Sequence, residues 1–437
     1  MAVKVCDALC GFGKTSACIK MMNEAVDRKF IFVTQFLSEV ERIKKGCASR
    51  GFVSPTSDRR MGRTKLSDIH TLMQSGENIA TTHSLFVSYT DETKDLIRSG
   101  EYTLVLDESV NVLCSSEMAE CDLDILKRSN AVREKDGIIE WMFDDYVGAE
   151  NGKFREEMMR ARSNNFFRFG ENYFFWSIPP ELFTCFEDVY VLTYMFQAQP
   201  LKCFFDVHNI EHEYIGVRKT SDGYEYCDVG DMDRALDLRS KIHILNDKKI
   251  NSIGDDRTAL SVAWYRRAAQ EEDLGQIERL RKNISNVFKN VFKAPSRECL
   301  WTTFKDCVPM LSGKGYQAAF IPFNMRASND YADRRYLAYC VNNFPRPLES
   351  RYYAEHGVEW DGNMYALSTL IQWLFRSAIR KGEEVWLYIP SERMRVLLQT
   401  WLENLANGND LLPINYKKRR KSRATGNKAG RPVLNKR

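Results

Sequence analysis

Short apolar runs that stop at polar residues, each followed by text with helical spacing, recur through the first half of the chain. "VKVCDA" reads as a buried strand, and after Gly13 the apolar positions Ala17, Ile19, Met22, Ala25 and Val26 have the spacing of an amphipathic helix. "KFIFVTQFLSEVERI" repeats the pattern: a strand at Phe30–Val33, polar Thr34-Gln35, then a helix. "ENIATTHSLF" is a strand ending in Thr81-Thr82-His83 before another helix start. In "EYTLVLDESV" the apolar run Thr103–Leu106 breaks off at Asp107-Glu108. Strands alternating with helices predict an α/β fold with a parallel sheet. Sites in such sheets lie beyond the carboxyl ends of the strands, where all of these polar residues fall. Taken singly, each hydroxyl or amide is also explained as a helix cap.

The pattern divides the chain. Residues 1–206 read as one α/β domain; 207–235 is the least periodic stretch and reads as a linking hairpin; 236–415 reads as a second α/β domain with a helical accessory segment at 256–292; 416–437 is a tail. The first domain carries roughly eighty residues between two of its strands, more than a plain α/β core needs. This helical and aromatic insertion mixes charged helical text with "NNFFRFGENYFFWSIPPELF". Aromatics around Arg168 suit either core packing or stacking on unpaired bases.

Composition sharpens this picture only in places. Of 437 residues 44% are hydrophobic and 12% aromatic, enough for two packed cores. Twelve cysteines are scattered with no C-x-x-C, which predicts buried free thiols in a reducing, cytoplasmic compartment. Met1 leading directly into a strand-like run predicts no signal peptide, and no apolar run approaches the ~18–20 residues of a membrane span. The formal charge of +4 hides an asymmetry: residues 417–437 hold ten Lys/Arg and no acid, which leaves −6 for residues 1–416. A tail of that composition is expected to be disordered and to contact nucleic acid phosphates, or to serve as a solvated extension.

Three segments carry candidate chemistry. "DALCGFGKTS" lies between a strand and a helix, the setting of a phosphate-binding loop, although Ala8 stands where the G-x-x-x-x-G-K-[ST] pattern has glycine. Gly11 and Gly13 let backbone N–H groups curl around phosphate oxygens; Lys14 would neutralise the β- and γ-phosphates and Thr15 would hold Mg²⁺. Asp107-Glu108 supplies the partner acids, Asp107 for Mg²⁺ and Glu108 to orient or deprotonate water. "HNIEH", His208–His212, matches the H-x-x-E-H pattern of inverted zinc peptidases, but its surroundings read as extended, whereas that chemistry needs both histidines on one helix face.

The loop resembles motif I of superfamily 2 helicases, A-x-x-G-x-G-K-T, which "ALCGFGKT" matches at every fixed position, Ala8 included. "VLDES" resembles motif II, "FVTQFLSEVERI" motif Ia, and "ATTHSLF" the strand-end motif that touches a nucleic acid backbone. "VYVLTYMFQAQPL" resembles motif III, with Thr193-Tyr194-Met195 keeping only the first position of S/T-A-T. In "YQAAFIPFNMRASNDY" an apolar strand, Ala318–Pro322, followed by Asn324 to Asn329 resembles motif V. "ALSTLIQWLFRSAIRKGEEVWLYIPSERMRVLL" resembles motif VI, Q-x-x-G-R-x-x-R: Gln372 and Arg376 match, Phe375 replaces glycine, and Arg380 falls one place late. A helix through this segment would put Arg376 and Arg380 on one face. "RASNDYADRRYLAYCVNNFPRP", "QWLFRSAIR" and "YIPSERMR" resemble helicase proteins of bacteriophages and prophages. With motif I this close to Met1, the adenine-reading Q motif of DEAD-box proteins is not expected, and the resemblance is to superfamily 2 outside the DEAD-box proteins proper.

The resemblance implies two tandem RecA-like domains that hydrolyse ATP between them with Mg²⁺ and move on nucleic acid, DNA favoured over RNA, alongside other replication or recombination proteins. It implies a nucleotide loop of Ala8, Leu9, Cys10, Gly11, Phe12, Gly13, Lys14, Thr15 and Ser16, and catalytic roles for Lys14, Asp107, Glu108, Gln372, Arg376 and Arg380. Nucleic acid contacts fall to Thr34, Gln35, Thr82, His83, Asn324, Arg326 and Ser328. The alternatives are the ATPase motor of a viral packaging terminase, an ATPase stimulated by nucleic acid without strand separation, and a non-enzymatic binding module led by the tail.

Overall fold

A computed structural model describes residues 2–58, 60, 62–143, 152–163, 165–232, 237–270, 275–325, 330–409 and 413–416. Three sheets organise them. The first has strands β1 (Val3–Asp7), β2 (Lys29–Thr34), β3 (Ile79–Thr82) and β4 (Tyr102–Asp107). An insertion follows, with β5 (Leu113–Ser115), β6 (Val132–Lys135), β7 (Ile138–Trp141), β8 (Phe166–Phe169) and β9 (Tyr173–Ser177). The chain then returns to the first sheet through β10 (Asp188–Thr193), β11 (His212–Thr220) and β12 (Gly223–Cys227). The second half builds a sheet from β13 (Ile242–Ile244), β14 (Cys299–Thr302), β15 (Tyr336–Tyr339) and β16 (Val385–Tyr388).

The first sheet runs β12-β11-β1-β10-β4-β2-β3, parallel except for β12. Its strands are apolar on both faces because both are covered. Along β2, Ile31 and Val33 join one core cluster while Phe30 and Phe32 join another; along β4, Leu104 and Leu106 face the first and Val105 the second. Within the expected linking stretch, His212–Thr220 and Gly223–Cys227 belong to the first sheet: β11 lies beside β1, and β12 folds back on it as a hairpin.

Among the described residues the insertion combines helices with a sheet. Its strands run β5-β9-β8-β7-β6, all antiparallel, and helices Glu120–Arg128 and Arg155–Arg162 accompany them. The aromatic run makes β8 and β9, where Phe166 and Phe174 stack at 6.1 Å and Phe167 and Phe175 at 6.1 Å. Arg168 is taken up within the insertion: it pairs with Glu120 and Glu134, holding both carboxyls below the usual range, and lies over the Phe174 ring.

The second sheet, β13-β16-β15-β14, is wholly parallel and the domain is α/β. Helices Val262–Ala269 and Gly275–Asn286 fall within the expected accessory segment. The strand expected at Ala318–Pro322 is absent: Gln317–Ala319 forms a 3₁₀ turn, and only Phe320 bridges to Trp301. Pro322, which has no N–H to give a ladder, closes that segment to further pairing. Helix Gly362–Leu374, capped by Asp361 on the N–H groups of Asn363 and Met364, is buried on almost every side. Its core cluster takes in Leu9, Cys10, Tyr194 and Met195 of the first half, so the halves share one apolar interface. Trp401 Nε1 donates to Tyr194 Oη across it at 3.1 Å, and Trp360 Nε1 to the Ala198 carbonyl at 3.0 Å.

Candidate nucleotide site and adjoining cleft

The loop after β1 is held at its base by its neighbour strand. The Asp7 carboxylate accepts the N–H groups of Met195 (2.7 Å) and Phe196 (2.8 Å), and Ala8 N donates to the Thr193 carbonyl at 3.1 Å. Gly11 (φ +87°) and Gly13 (φ +82°) are left-handed, a region open to glycine at little cost. Gly13 caps helix Lys14–Glu24, whose first N–H groups and positive dipole end face the loop. Lys14 is buried, and its ammonium donates to the carbonyls of Ala8 (2.5 Å) and Leu9 (3.3 Å). Leu9 and Cys10 sit in the interface cluster and Phe12 packs on it, so these three anchor the loop through their side chains.

Asp107 ends β4 beneath the loop. Its Oδ1 accepts from Thr15 Oγ1 at 3.4 Å and its Oδ2 from Thr34 Oγ1 at 3.3 Å. Burial, then the charges of Glu108 and Glu39, push its pKa up from 3.8 to about 7, against the opposing pull of Lys14 and the Thr34 hydrogen bond. Glu108 adopts φ +65°, its N–H bound to the Leu192 carbonyl at 2.9 Å. Its Oε2 is buried without a hydrogen-bond partner.

The second half contributes two cations to the same place. Arg376 and Arg380 line a cavity of about 160 Å³ together with Lys14, Thr15, Asp107 and Glu108. They do not share a helix face. Helix Gly362–Leu374 ends before Arg376, and Arg380 lies in a separate 3₁₀ turn, Ala378–Lys381, that Ser377 caps through Ile379 N. Arg376 is buried with its Nε unpartnered, and Arg380 lies against Gly11. Burial first, and Arg376 next, lower the Arg380 pKa. Gln372 is buried in the helix and does not line the cavity.

These residues fit a nucleotide phosphate with a divalent cation. The helix N-terminus, Lys14 and the two arginines suit phosphate oxygens. The Thr15 hydroxyl beside the Asp107 carboxylate is a hard oxygen pair suited to Mg²⁺. The orphaned Glu108 Oε2 and Arg376 Nε are the groups such a ligand would satisfy.

A larger cleft of about 670 Å³ adjoins the site, walled by the first sheet, the insertion and the second half. Of the expected nucleic acid contacts, Gln35, His83 and Asn324 line it together. Trp176, Trp360 and Tyr365 add aromatic surface, and Arg160 and Arg346 add cations paired with Glu156 and Glu349. His83 Nε2 donates to the Asp107 carbonyl at 3.1 Å, a direct link from cleft to acids. Thr34 does not face the cleft: it is buried and serves Asp107. Thr82 precedes the short helix His83–Phe86 and does not line the cleft either. Arg326 and Ser328, and the basic tail beyond Tyr416, lie outside the described residues.

Tyr224, Glu39 and Arg42 line the small cavity and were not expected there. "SDGYEYC" did contain a readable signal, a turn at Asp222-Gly223 before alternating tyrosines. Nothing in the sequence placed that hairpin beside the loop. In "HNIEH", His208 follows helix Pro200–Val207 and packs on Phe204, while His212 opens β11, so the two do not share a helix face.

The family model described as the YonV C-terminal Rossmann-like domain matches residues 236–402. The chain is 39% identical over 411 residues to the SPbeta prophage-derived uncharacterized protein YonV of Bacillus subtilis (strain 168), covering 92% of this chain and 99% of that one. That origin agrees with the likeness to prophage proteins in the second half. Among solved structures, S. tokodaii Xpd4 is similar at 12% identity with a TM-score of 0.45, covering 91% of this chain and 94% of that chain. The DUF1998 helicase MrfA, solved with DNA and AMPPNP, is similar at 9% identity with a TM-score of 0.32, covering 93% and 48%.

Proposed function

This chain belongs to the YonV family, and we propose that it is an ATP-dependent nucleic acid helicase or translocase of the superfamily 2 type, built on two tandem RecA-like domains. The observation that carries the reading is the meeting of Arg376 and Arg380, from the second half, with Lys14, Thr15, Asp107 and Glu108, from the first, around one cavity. A site assembled from both halves can couple chemistry to their relative movement.

In this reading Lys14 and the N–H groups at the start of its helix hold phosphate oxygens, and Thr15 and Asp107 hold Mg²⁺. ATP with Mg²⁺ supplies the phosphoanhydride whose cleavage releases the driving energy. Glu108, with a buried and otherwise unpartnered Oε2, takes the proton of the attacking water. Arg376 and Arg380 offset negative charge that builds up on the transferred group, in a water-poor interface where such contacts are strongest. His83 joins the cleft to Asp107, so a strand gripped beside Gln35, His83 and Asn324 is sensed at the acids. The strand-end positions of the second sheet support the motor over a packaging terminase. Leu245, Thr303, Cys340 and Ile389 follow its four strands, none of them an acid of the kind a nuclease clusters there.

The test is ATP hydrolysis measured in parallel with single-stranded DNA, duplex DNA and RNA. At least one should stimulate turnover, and Lys14→Ala should abolish it, a loss of ~100-fold or more given the transition-state charge Lys14 faces. Normal turnover in that variant sinks the assignment.

A further inference from the structure

We propose that Tyr224 forms the nucleobase subsite of this cavity, holding the base of a nucleoside triphosphate by its ring face; the inference rests on the nucleotide reading above. Three observations carry it. The first is contact. Tyr224 lines the cavity, and its ring lies directly on Gly13: a Cβ built at Gly13 would come within 2.1 Å of Tyr224 Cδ1. Only a glycine leaves room for an aromatic ring against the phosphate loop.

The second is direction. In the strand order β12-β11-β1-β10-β4, Asp107 and Glu108 end a strand two places from β1 on one side. Tyr224 lies on β12, two places from β1 on the other. Strands are ~4.8 Å apart, so the hydrolytic acids and the tyrosine flank the loop from opposite sides. Arg376 and Arg380 reach into the same cavity from the second half, Arg380 against Gly11 of the loop. A triphosphate whose terminal phosphate meets the acids must lead its other end toward Tyr224.

The third is size. About 160 Å³ is below the ~300–1,000 Å³ of pockets that enclose a whole small ligand. The phosphates fill such a volume and the base is left at the rim, where an aromatic face is the fitting partner. The rim is firm there. Glu225 binds Lys20 of the loop's own helix at 3.6 Å and Arg218 across the hairpin at 2.8 Å, and Tyr226 stacks on Tyr190 at 5.9 Å.

Inorganic tripolyphosphate, which has no base, separates this role from any effect on the loop. Calorimetric affinities of the full chain for MgATP and for magnesium tripolyphosphate are compared in unaltered protein, Tyr224→Ala and Tyr224→Phe. We expect unaltered protein to prefer ATP. Tyr224→Ala should weaken ATP on the order of tenfold, a typical loss for one stacked base, and leave tripolyphosphate unmoved. Tyr224→Phe should keep the preference. Equal shifts for both ligands, or none for ATP, overturn the subsite. Equal affinity of the unaltered chain for the two ligands overturns it as well, even if Tyr224→Ala does not fold, and leaves the hydrolytic reading standing. Failure of the unaltered chain to bind either ligand overturns both.

Discussion

Two threonine hydroxyls and a helix N-terminus surround the Asp107 carboxylate, yet burial outweighs them and holds its pKa near 7. The sign follows from linkage. The folded chain keeps this proton up to about pH 7, while the unfolded chain releases it near 3.8. The proton's contribution to stability is therefore complete below about pH 3.8 and is lost as pH rises toward 7. Asp107→Asn has no such loss. Its unfolding free energy, from denaturant titrations, should pull ahead of the unaltered chain's as pH goes from 4 to 8, by at most on the order of 2–4 kcal/mol, while hydrolysis disappears. A constant difference across that range would mean the carboxylate is not held protonated. This acid and its partner were legible in the sequence because an apolar run ended on them. The partnership of Thr34 was not: a hydroxyl at a strand end reads equally as a cap, a nucleic acid contact or a ligand to the neighbouring strand's acid. Only the adjacency of β2 and β4 decides for the last.

Among the elements, the segment around Arg376 shows where periodicity misleads. "LSTLIQWLF" is helical text, and continuing it through Arg380 is natural, but Ser377 starts a new turn by capping Ile379. Serine before a helical segment is a readable stop-and-restart signal. The arginines reach one cavity from two elements, so spacing alone could not rank them. The insertion was read only in part: its charged text does hold helices, but the aromatics of "FFRFGENYFFWS", read for stacking or core packing, form two strands with a glycine in the turn between them. A second buried arginine stabilises the next element. Arg393, at the start of helix Glu392–Ala406, is 2% exposed and has no ion pair among the described residues. Its guanidinium donates to Asn342 Oδ1 (2.9 Å), the Asn343 carbonyl (2.8 Å), the Gly362 carbonyl (2.7 Å) and Asn363 Oδ1 (3.1 Å), and it lies over the Phe344 ring. Burial lowers its pKa to about 10. An ammonium cannot reproduce that planar fork. Arg393→Lys should cost about 2–3 kcal/mol in a denaturant titration, the loss of one or two hydrogen bonds to a charged group. A cost below about 0.5 kcal/mol, the range of ordinary surface substitutions, would show the fork is replaceable.

Across the whole molecule, the α/β class and the presence of two sheet-forming halves were legible because strand and helix periods alternate through both. The order of strands was not, since it depends on pairings between distant segments. β10 lies between β1 and β4, yet it follows β4 by the whole insertion. The phosphate loop hangs on that late arrival: Asp7 grips Met195 and Phe196, and Ala8 binds Thr193. A fragment of residues 1–187 holds the complete loop and both acids but stops before β10. It should bind no MgATP by calorimetry, whereas measurable binding would mean the loop organises itself without its neighbour. The same pairing sets an order of assembly. Contacts that span so much chain close slowly, because the intervening segment must be fixed first. During synthesis the opening loop emerges early and waits, unfinished, until β10 has followed it out. On the proposed nucleotide reading, the nascent protein is therefore kept from nucleotide until its insertion has been made.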